Sequence, residues 1–285
     1  MKVLVIIGTR PEAIKMAPVV LELGRRADID TVVCLTAQHR EMLDQVIGLF
    51  DLPVHYDLNL MRPGQSVSEV TARVLNAVTP VLAEARPDVV LVHGDTTTSL
   101  AAALAAYYQR IPVGHVEAGL RTYDKFRPFP EEMNRRLADA LCDYHYAPTE
   151  SAKANLLAER IDPANVLVTG NTVIDALLDV AARHYRFDDP LLDQAGRERR
   201  LVLVTAHRRE SFGAPFRAMC QAIRDVAANN VDVEVIYPVH PNPNVRAVTD
   251  EVLAGLPRVR CIEPLGYEPF VHLSLIHISE PTRPY

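Results

Sequence analysis

Unbroken apolar runs alternate with stretches of helical spacing along the first 170 residues of the chain. Residues 2–7 (KVLVII) suit a strand buried on both faces of a parallel sheet. Gly8, Thr9 and Arg10 make a turn. Pro11 is then well placed in a first helical turn, with Glu12 beside the positive helix end. Ile14, Ala17, Val20, Leu21 and Leu23 continue with helical spacing. The same reading predicts strands over 31–36, 89–93, 111–116, 144–148 and 166–169. It predicts helices over 40–50, 66–85, 97–109, 131–142 and 149–158, the last capped by Thr149. This alternation predicts an α/β fold with a doubly wound parallel sheet.

Gly170-Asn171 interrupts the series, and a domain boundary is expected there, giving a first lobe over 1–170. A second lobe is expected over 171–272. It opens with a helix over 171–183 and a polar loop or short helix over 188–200. Strands at 201–205, 233–237 and 259–262 follow, with a helix over 216–228. From about Leu273 the chain reads LSLIHISEPTRPY, without a helical or alternating pattern that carries the second lobe on. Residues 273–285 read as a non-native tail that resembles a translated sequencing adapter; the alternative is a disordered terminus.

Composition narrows the function classes. The chain has 285 residues, enough for two domains, and 48% of them are hydrophobic. Its net charge of -6 argues against a nucleic-acid or membrane-surface partner, since both favour basic faces. Cys34, Cys142, Cys220 and Cys261 lie far apart, with no C-x-x-C pair and no zinc-like His spacing, so no metal is expected and the thiols read as reduced. With no signal-peptide core and no apolar run of about 18 residues, a cytoplasmic protein is expected.

The candidate chemistry gathers in residues 88–136. Asp95, Glu117 and Glu131 each stand just past a predicted strand or at a helix start, which is where open α/β sheets bind ligands. Singly, each reads better without a function: Asp95 as a helix cap, Glu117 as a solvated strand end and Glu131 as a first-turn acid. Together they suit proton transfer, because neighbouring carboxylates shift one another's pKa values. Arg10 and Lys15 flank a helix N-terminus that could attract phosphate, although the turn is not a G-x-G-x-x-G and both could be plain surface charges. His207, at the end of strand 201–205 beside Arg208 and Arg209, could seek an anion; His240 follows the same logic less strongly.

The segments GTRPEAIKMAP, TAQHREMLDQV, PDVVLVHGDTTTSLAAALAAYYQRIPVGHVEAGLRT, PEEMNR, TGNTVIDALL, TAHRRESFG and YPVHPNPNVR resemble the non-hydrolysing UDP-N-acetylglucosamine 2-epimerases over about residues 1–272. The resemblance implies the GT-B architecture, two Rossmann-like lobes with the nucleotide sugar between them, the second lobe being incomplete here. It implies reversible epimerisation at C2 with no cofactor. It implies acid/base roles for Asp95, Glu117 and Glu131, a site histidine at His207, and substrate contacts from Arg10 and Lys15. Uracil contacts would come from the Leu265 backbone and Phe270. Gln38 and Gln65 match positions of an effector pocket for a second UDP-N-acetylglucosamine, acting as allosteric activator. A homodimer is implied for the full-length form, in a polysaccharide pathway.

The family's later Ser-Gly-Gly turn, acidic pair and further arginines do not occur in this sequence, so the chain is expected to be truncated within its second lobe. Three other readings remain open: a hydrolysing 2-epimerase that releases N-acetylmannosamine, a nucleotide-sugar-binding fragment without activity, and a GT-B glycosyltransferase.

Overall fold

The computed structural model describes residues 1–36, 40–62, 64–206 and 213–278, with the side chains of 40–42, 277 and 278 left aside. Two compact units divide the chain, Met1–Ala176 and Leu177–Tyr285. The division falls inside a helix rather than at Gly170.

In the first unit, strands β1 (Lys2–Ile7), β2 (Asp30–Leu35), β3 (Tyr56–Asp57), β4 (Val89–His93), β5 (Val113–Val116), β6 (Tyr144–Ala147) and β7 (Val166–Val168) form one sheet. Their order is β3-β2-β1-β4-β5-β6-β7, and every pairing is parallel. The chain reverses its direction of winding between β1 and β4. Such a switch point opens a crevice beyond the carboxyl ends of the strands. The helices are α1 (Arg10–Gly24), α2 (Arg40–Leu49), α3 (Val67–Ala85), α4 (Thr97–Tyr108), α5 (Glu131–Leu141), α6 (Glu150–Ala158) and α7 (Thr172–Ala181), which crosses into the second unit.

Local chemistry explains these elements. Thr9 caps α1 and forms a reciprocal capping box with Glu12, and Ser66 and Glu69 repeat the device on α3. The α4 sequence TTSLAAALAAYY is apolar on nearly every side, as a helix buried all round requires. Its alanines 101–103, 105 and 106 pack with Leu4, Val74, Val78, Leu82 and Val90 in one core. β5 begins at Val113 rather than Ile111, because Pro112 has no N–H to give; its carbonyl still accepts from Val90 N at 2.9 Å. β3 is only two residues long and carries no alternating pattern to announce it.

The second unit holds α8 (Pro190–Asp193), β8 (Arg200–Leu203), α9 (Ala214–Asn229), β9 (Val233–Pro238), α10 (Pro243–Leu253), β10 (Val259–Ile262) and α11 (Tyr267–Ile278). Its sheet runs β10-β9-β8, again parallel, over a core built on Phe216, Cys220, Val235, Tyr237 and Val245. Two helices depart from expectation. No element is predicted where α10 forms; Asn242 caps this helix and Pro243 opens it. The missing pattern after Leu273 is corrected by α11, which continues to Ile278. Leu273 is fully buried there, with Leu192, Ala195, Leu201 and Ile236, so one apolar face suffices to hold the helix.

Beyond β5 the chain turns closely against α6. Gly119 has φ +84°, and a Cβ there would lie 2.3 Å from the Ala152 carbonyl oxygen. Gly119→Ala is therefore expected to lower the unfolding free energy by about 3 kcal/mol through backbone strain and displacement of α6. Urea denaturation of both proteins measures it.

Candidate active site at the carboxyl edge of the seven-stranded sheet

At the switch point a buried carboxylate joins the turns after β1 and β4. Glu12 accepts hydrogen bonds from Gly8 N at 2.6 Å, Thr9 N at 2.7 Å and Ser99 Oγ at 3.2 Å, and a short one from Thr96 Oγ1. Burial raises its pKa, and these four donors offset only part of that rise. Glu12 is thus a structural pin. Arg10 beside it is half-buried and has no ion-pair partner among the described residues, which leaves a cation available at the N-terminus of α1.

Glu117 follows β5 with φ 65°, a left-handed conformation that costs a non-glycine residue about 1–3 kcal/mol. Both its own N–H and that of Ala118 donate to the Tyr146 carbonyl, at 3.1 and 3.2 Å. Lys15 Nζ meets both carboxylate oxygens, at 2.8 and 2.7 Å, and Asn171 Nδ2 donates to Oε2 at 2.7 Å. His93 Nε2 stands 3.9 Å from the same oxygen. Burial opposes ionisation of Glu117, but the Lys15 ammonium and the Asn171 amide outweigh it and hold the carboxyl below its ordinary range. His93 is itself pushed down to about 3, chiefly by burial, so at neutral pH its ring is uncharged. The standing counterion of Glu117 is therefore Lys15.

Asp95 is one residue beyond Gly94, whose φ is +66°. It does not cap α4: Thr96 does, accepting from Ser99 N at 3.1 Å. Instead Asp95 Oδ2 pairs with Arg135 Nη2 at 2.7 Å, its carbonyl accepts from Asn134 Nδ2 at 3.0 Å, and its side chain remains 34% exposed. Glu117 lies against the same turn, since a Cβ on Gly94 would be 3.9 Å from its Oε1. Glu131 is half-buried in the first turn of α5, with no side-chain partner among the described residues. It shares a helix face with Asn134 and Arg135, three and four residues on, the two residues that hold Asp95. Its neighbour Glu132 has a different task. Glu132 is fully buried and accepts from Thr122 N and Tyr123 N, each at 3.0 Å, which anchors the loop before α5.

Beneath these turns lies a charge network that the linear pattern does not reveal. His115 points Nδ1 at Asp139 Oδ1 (2.6 Å) and Nε2 at the Gly94 carbonyl (2.7 Å). Both partners are acceptors, so both nitrogens carry protons and the ring is an imidazolium. Burial lowers its pKa, and Asp139 with the Gly94 carbonyl more than reverses this. Asp139 Oδ2 accepts from Arg121 Nη2 at 2.7 Å and from Gly119 N at 3.3 Å. Arg121 also grips Glu159 at 2.9 and 2.7 Å. Two turns of the site, at Gly94 and Gly119, thus hang from one buried carboxylate.

The remaining expected residues are more scattered. Gln65 Oε1 accepts from Arg62 N at 2.6 Å, whereas Gln38 and His207 lie outside the described residues. In the second unit Leu265 packs against the Leu192 and Leu201 cluster, Phe270 is half-buried on α11, and His240 is exposed, with Nδ1 accepting from Asn242 N at 3.1 Å. All four cysteines are free thiols. Among the described residues there is no cluster of His, Cys, Asp and Glu suited to a metal ion, and no helix long and apolar enough to cross a membrane.

A doubly wound seven-stranded α/β unit, with carboxylates and basic residues at its switch point, and a second unit with a partial, three-stranded parallel sheet define a GT-B type protein. The model of the UDP-N-acetylglucosamine 2-epimerase family matches residues 21–276. The chain is 52% identical to the UDP-N-acetylglucosamine 2-epimerase of Escherichia coli strain K12, over 96% of this chain and 74% of that one. The Salmonella typhimurium enzyme of the same name is 53% identical, with the same coverage. A crystal structure of the Neisseria meningitidis UDP-GlcNAc 2-epimerase bound to UDP-GlcNAc superimposes with a TM-score of 0.85 at 48% identity, covering 96% of this chain and 75% of that one. The Methanocaldococcus jannaschii enzyme, in complex with UDP-GlcNAc and UDP, gives 0.74 at 33% identity, covering 96% of this chain and 76% of that one. The chain belongs to the UDP-N-acetylglucosamine 2-epimerase family.

The network has a pH signature. Because the folded pKa of His115 is raised above 6.5, its contribution to stability is complete below that value and is lost as pH rises through the folded pKa. Asp139→Asn removes the carboxylate that raises it. Urea denaturation from pH 6 upward is expected to show stability falling with pH in the parent. The variant should lack that fall and lose about 3 kcal/mol near neutrality.

Proposed function

We propose that the protein interconverts UDP-N-acetylglucosamine and UDP-N-acetylmannosamine without hydrolysing the nucleotide sugar. The observation that carries this reading is the ionised Glu117, clamped by Lys15 and Asn171 beside the turn of Asp95. The C2–H of the sugar has no adjacent carbonyl, so direct deprotonation is too costly. Elimination of UDP across C1–C2 gives a glucal. Re-addition of UDP, with a proton delivered to the other face, inverts C2. That sequence needs a base on one face, an acid on the other, and cations on the departing diphosphate. No redox cofactor takes part.

Asp95, Glu117 and Glu131 are the acid/base groups of this reaction, with His207 completing the site. Asp95 and Glu131 each keep an accessible side, as proton donors and acceptors must. Arg10, at a helix N-terminus, and Lys15 suit the diphosphate. The Leu265 backbone and Phe270 take the uracil. Gln38 and Gln65 belong to an effector pocket in which a second UDP-N-acetylglucosamine activates the enzyme. The full-length protein works as a cytoplasmic homodimer that supplies polysaccharide synthesis.

Incubation with UDP-N-acetylglucosamine in deuterated water, followed by NMR, tests the reaction. Deuterium at C2 of a UDP-linked sugar is the expected result. Free N-acetylmannosamine would instead indicate hydrolysis, and UDP binding without exchange a binding role alone. Glu117→Gln and Asp95→Asn are each expected to slow exchange by about 100-fold or more. Unchanged exchange in both would remove the carboxylates from the mechanism.

A further inference from the structure

We propose that His93 is a positioning residue for Glu117, whose Nε2 lone pair accepts the O–H of that carboxyl whenever Glu117 holds a proton. The inference rests on the acid/base reading of Glu117 and adds a partner that this reading leaves out.

Among the described residues, every side chain within hydrogen-bonding distance of the Glu117 carboxylate is a donor. Lys15 Nζ reaches both oxygens and Asn171 Nδ2 reaches one. An ammonium has no lone pair. The Asn171 amide oxygen is already engaged, accepting from Val173 N at 3.1 Å. This set holds an ionised carboxylate well and offers nothing to a protonated one. A group that gives and takes a proton in each turnover needs both.

Nε2 of His93 fills that role. It lies 3.9 Å from Glu117 Oε2, its side chain is 4% exposed, and it has no hydrogen-bond partner among the described residues. An unpartnered ring nitrogen in a core is destabilising, so its retention calls for a use. Of the two ring nitrogens Nε2 is the buried one without a partner, and the inference places the ring proton on Nδ1, which leaves the Nε2 lone pair facing Glu117. Burial keeps the ring neutral, and the charges that act on it are those of Glu117, Lys15 and His115. When Glu117 takes a proton, a small rotation of the carboxyl turns its O–H onto Nε2. The proton stays on the carboxyl, the ring stays neutral, and the proton later leaves from the same oxygen to carbon or to solvent.

Long-range proton–nitrogen NMR on the 15N-histidine-labelled protein reads the tautomer whether or not the chain turns over. Protonated Nδ1 with bare Nε2 supports the inference, and protonated Nε2 overturns it. Exchange kinetics then test the consequence. His93→Phe keeps a ring but removes the lone pair, and is expected to lower kcat by about 10- to 100-fold with KM within about threefold. His93→Gln, which restores an acceptor oxygen, should recover most of that loss. If Phe leaves kcat within about twofold, or if Phe and Gln are equally impaired, His93 has no such role. Glu117→Gln separates the two levels. Full exchange in that variant overturns the acid/base reading of Glu117 and this inference together. Lost exchange there, with an unaffected His93→Phe, overturns the role of His93 alone.

Discussion

Asp139 is the residue on which the site's geometry depends. It is 1% exposed and bonded through both oxygens, to His115 on one side and to Arg121 and the Gly119 amide on the other. His115 passes the constraint to the Gly94 carbonyl, one residue before Asp95. Gly119 is two residues beyond Glu117. One buried carboxylate on α5 thereby sets the turns after two neighbouring strands. Its removal leaves His115 without a counterion and Arg121 with Glu159 alone, and an unpaired buried charge costs far more than a buried pair gains. The arrangement is satisfied only when β4, β5 and α5 are correctly packed.

The first unit uses buried acids in two ways. Glu12, Glu132 and Asp139 are enclosed and saturated with donors, and each joins segments distant in the chain: Glu12 the turns after β1 and β4, Glu132 the loop before α5, and Asp139 the turns after β4 and β5. Asp95 and Glu117 are held from one side, and Glu131 has no side-chain partner among the described residues. This difference in saturation separates structural acids from candidate chemical ones more cleanly than burial does. Glu131 and Glu132 are adjacent in sequence and fall on opposite sides of the division, because successive helical residues point about 100° apart.

The lobes differ in how the unpartnered groups are placed. In the first, His93 Nε2 faces Glu117 without a hydrogen-bond partner among the described residues, and Lys15 and Asn171 donate to that carboxylate. In the second, the charged side chains on the surface mostly pair with one another, as Arg217 does with Glu251 and Arg246 with Glu263. Such exposed pairs contribute little to stability. The apolar clusters around Phe216 and Leu192 are what hold that unit together.

Apolar runs, caps and turn residues were enough to place most strands and helices of the first unit, since those signals are local and each strand is buried on both faces. The same local rules located Arg10, Lys15, Asp95, Glu117 and Glu131 at strand ends and helix starts. They were not enough for β3, which is too short to carry a pattern, nor for α10, where no element is predicted, nor for the end of α11, which reads as a tail. Nor could they show that Lys15 is bound to Glu117, 102 residues away, that His93 ends β4 with an unpartnered nitrogen, or that His115 is charged. Those facts depend on which turns the sheet order β1-β4-β5 brings side by side, and on burial that makes each unmet hydrogen bond costly. The sequence by itself determined the periodicity of the elements and the chemical kind of each strand-end residue. Tertiary structure alone decided the partners, because a proton's place on a buried side chain follows from what surrounds it.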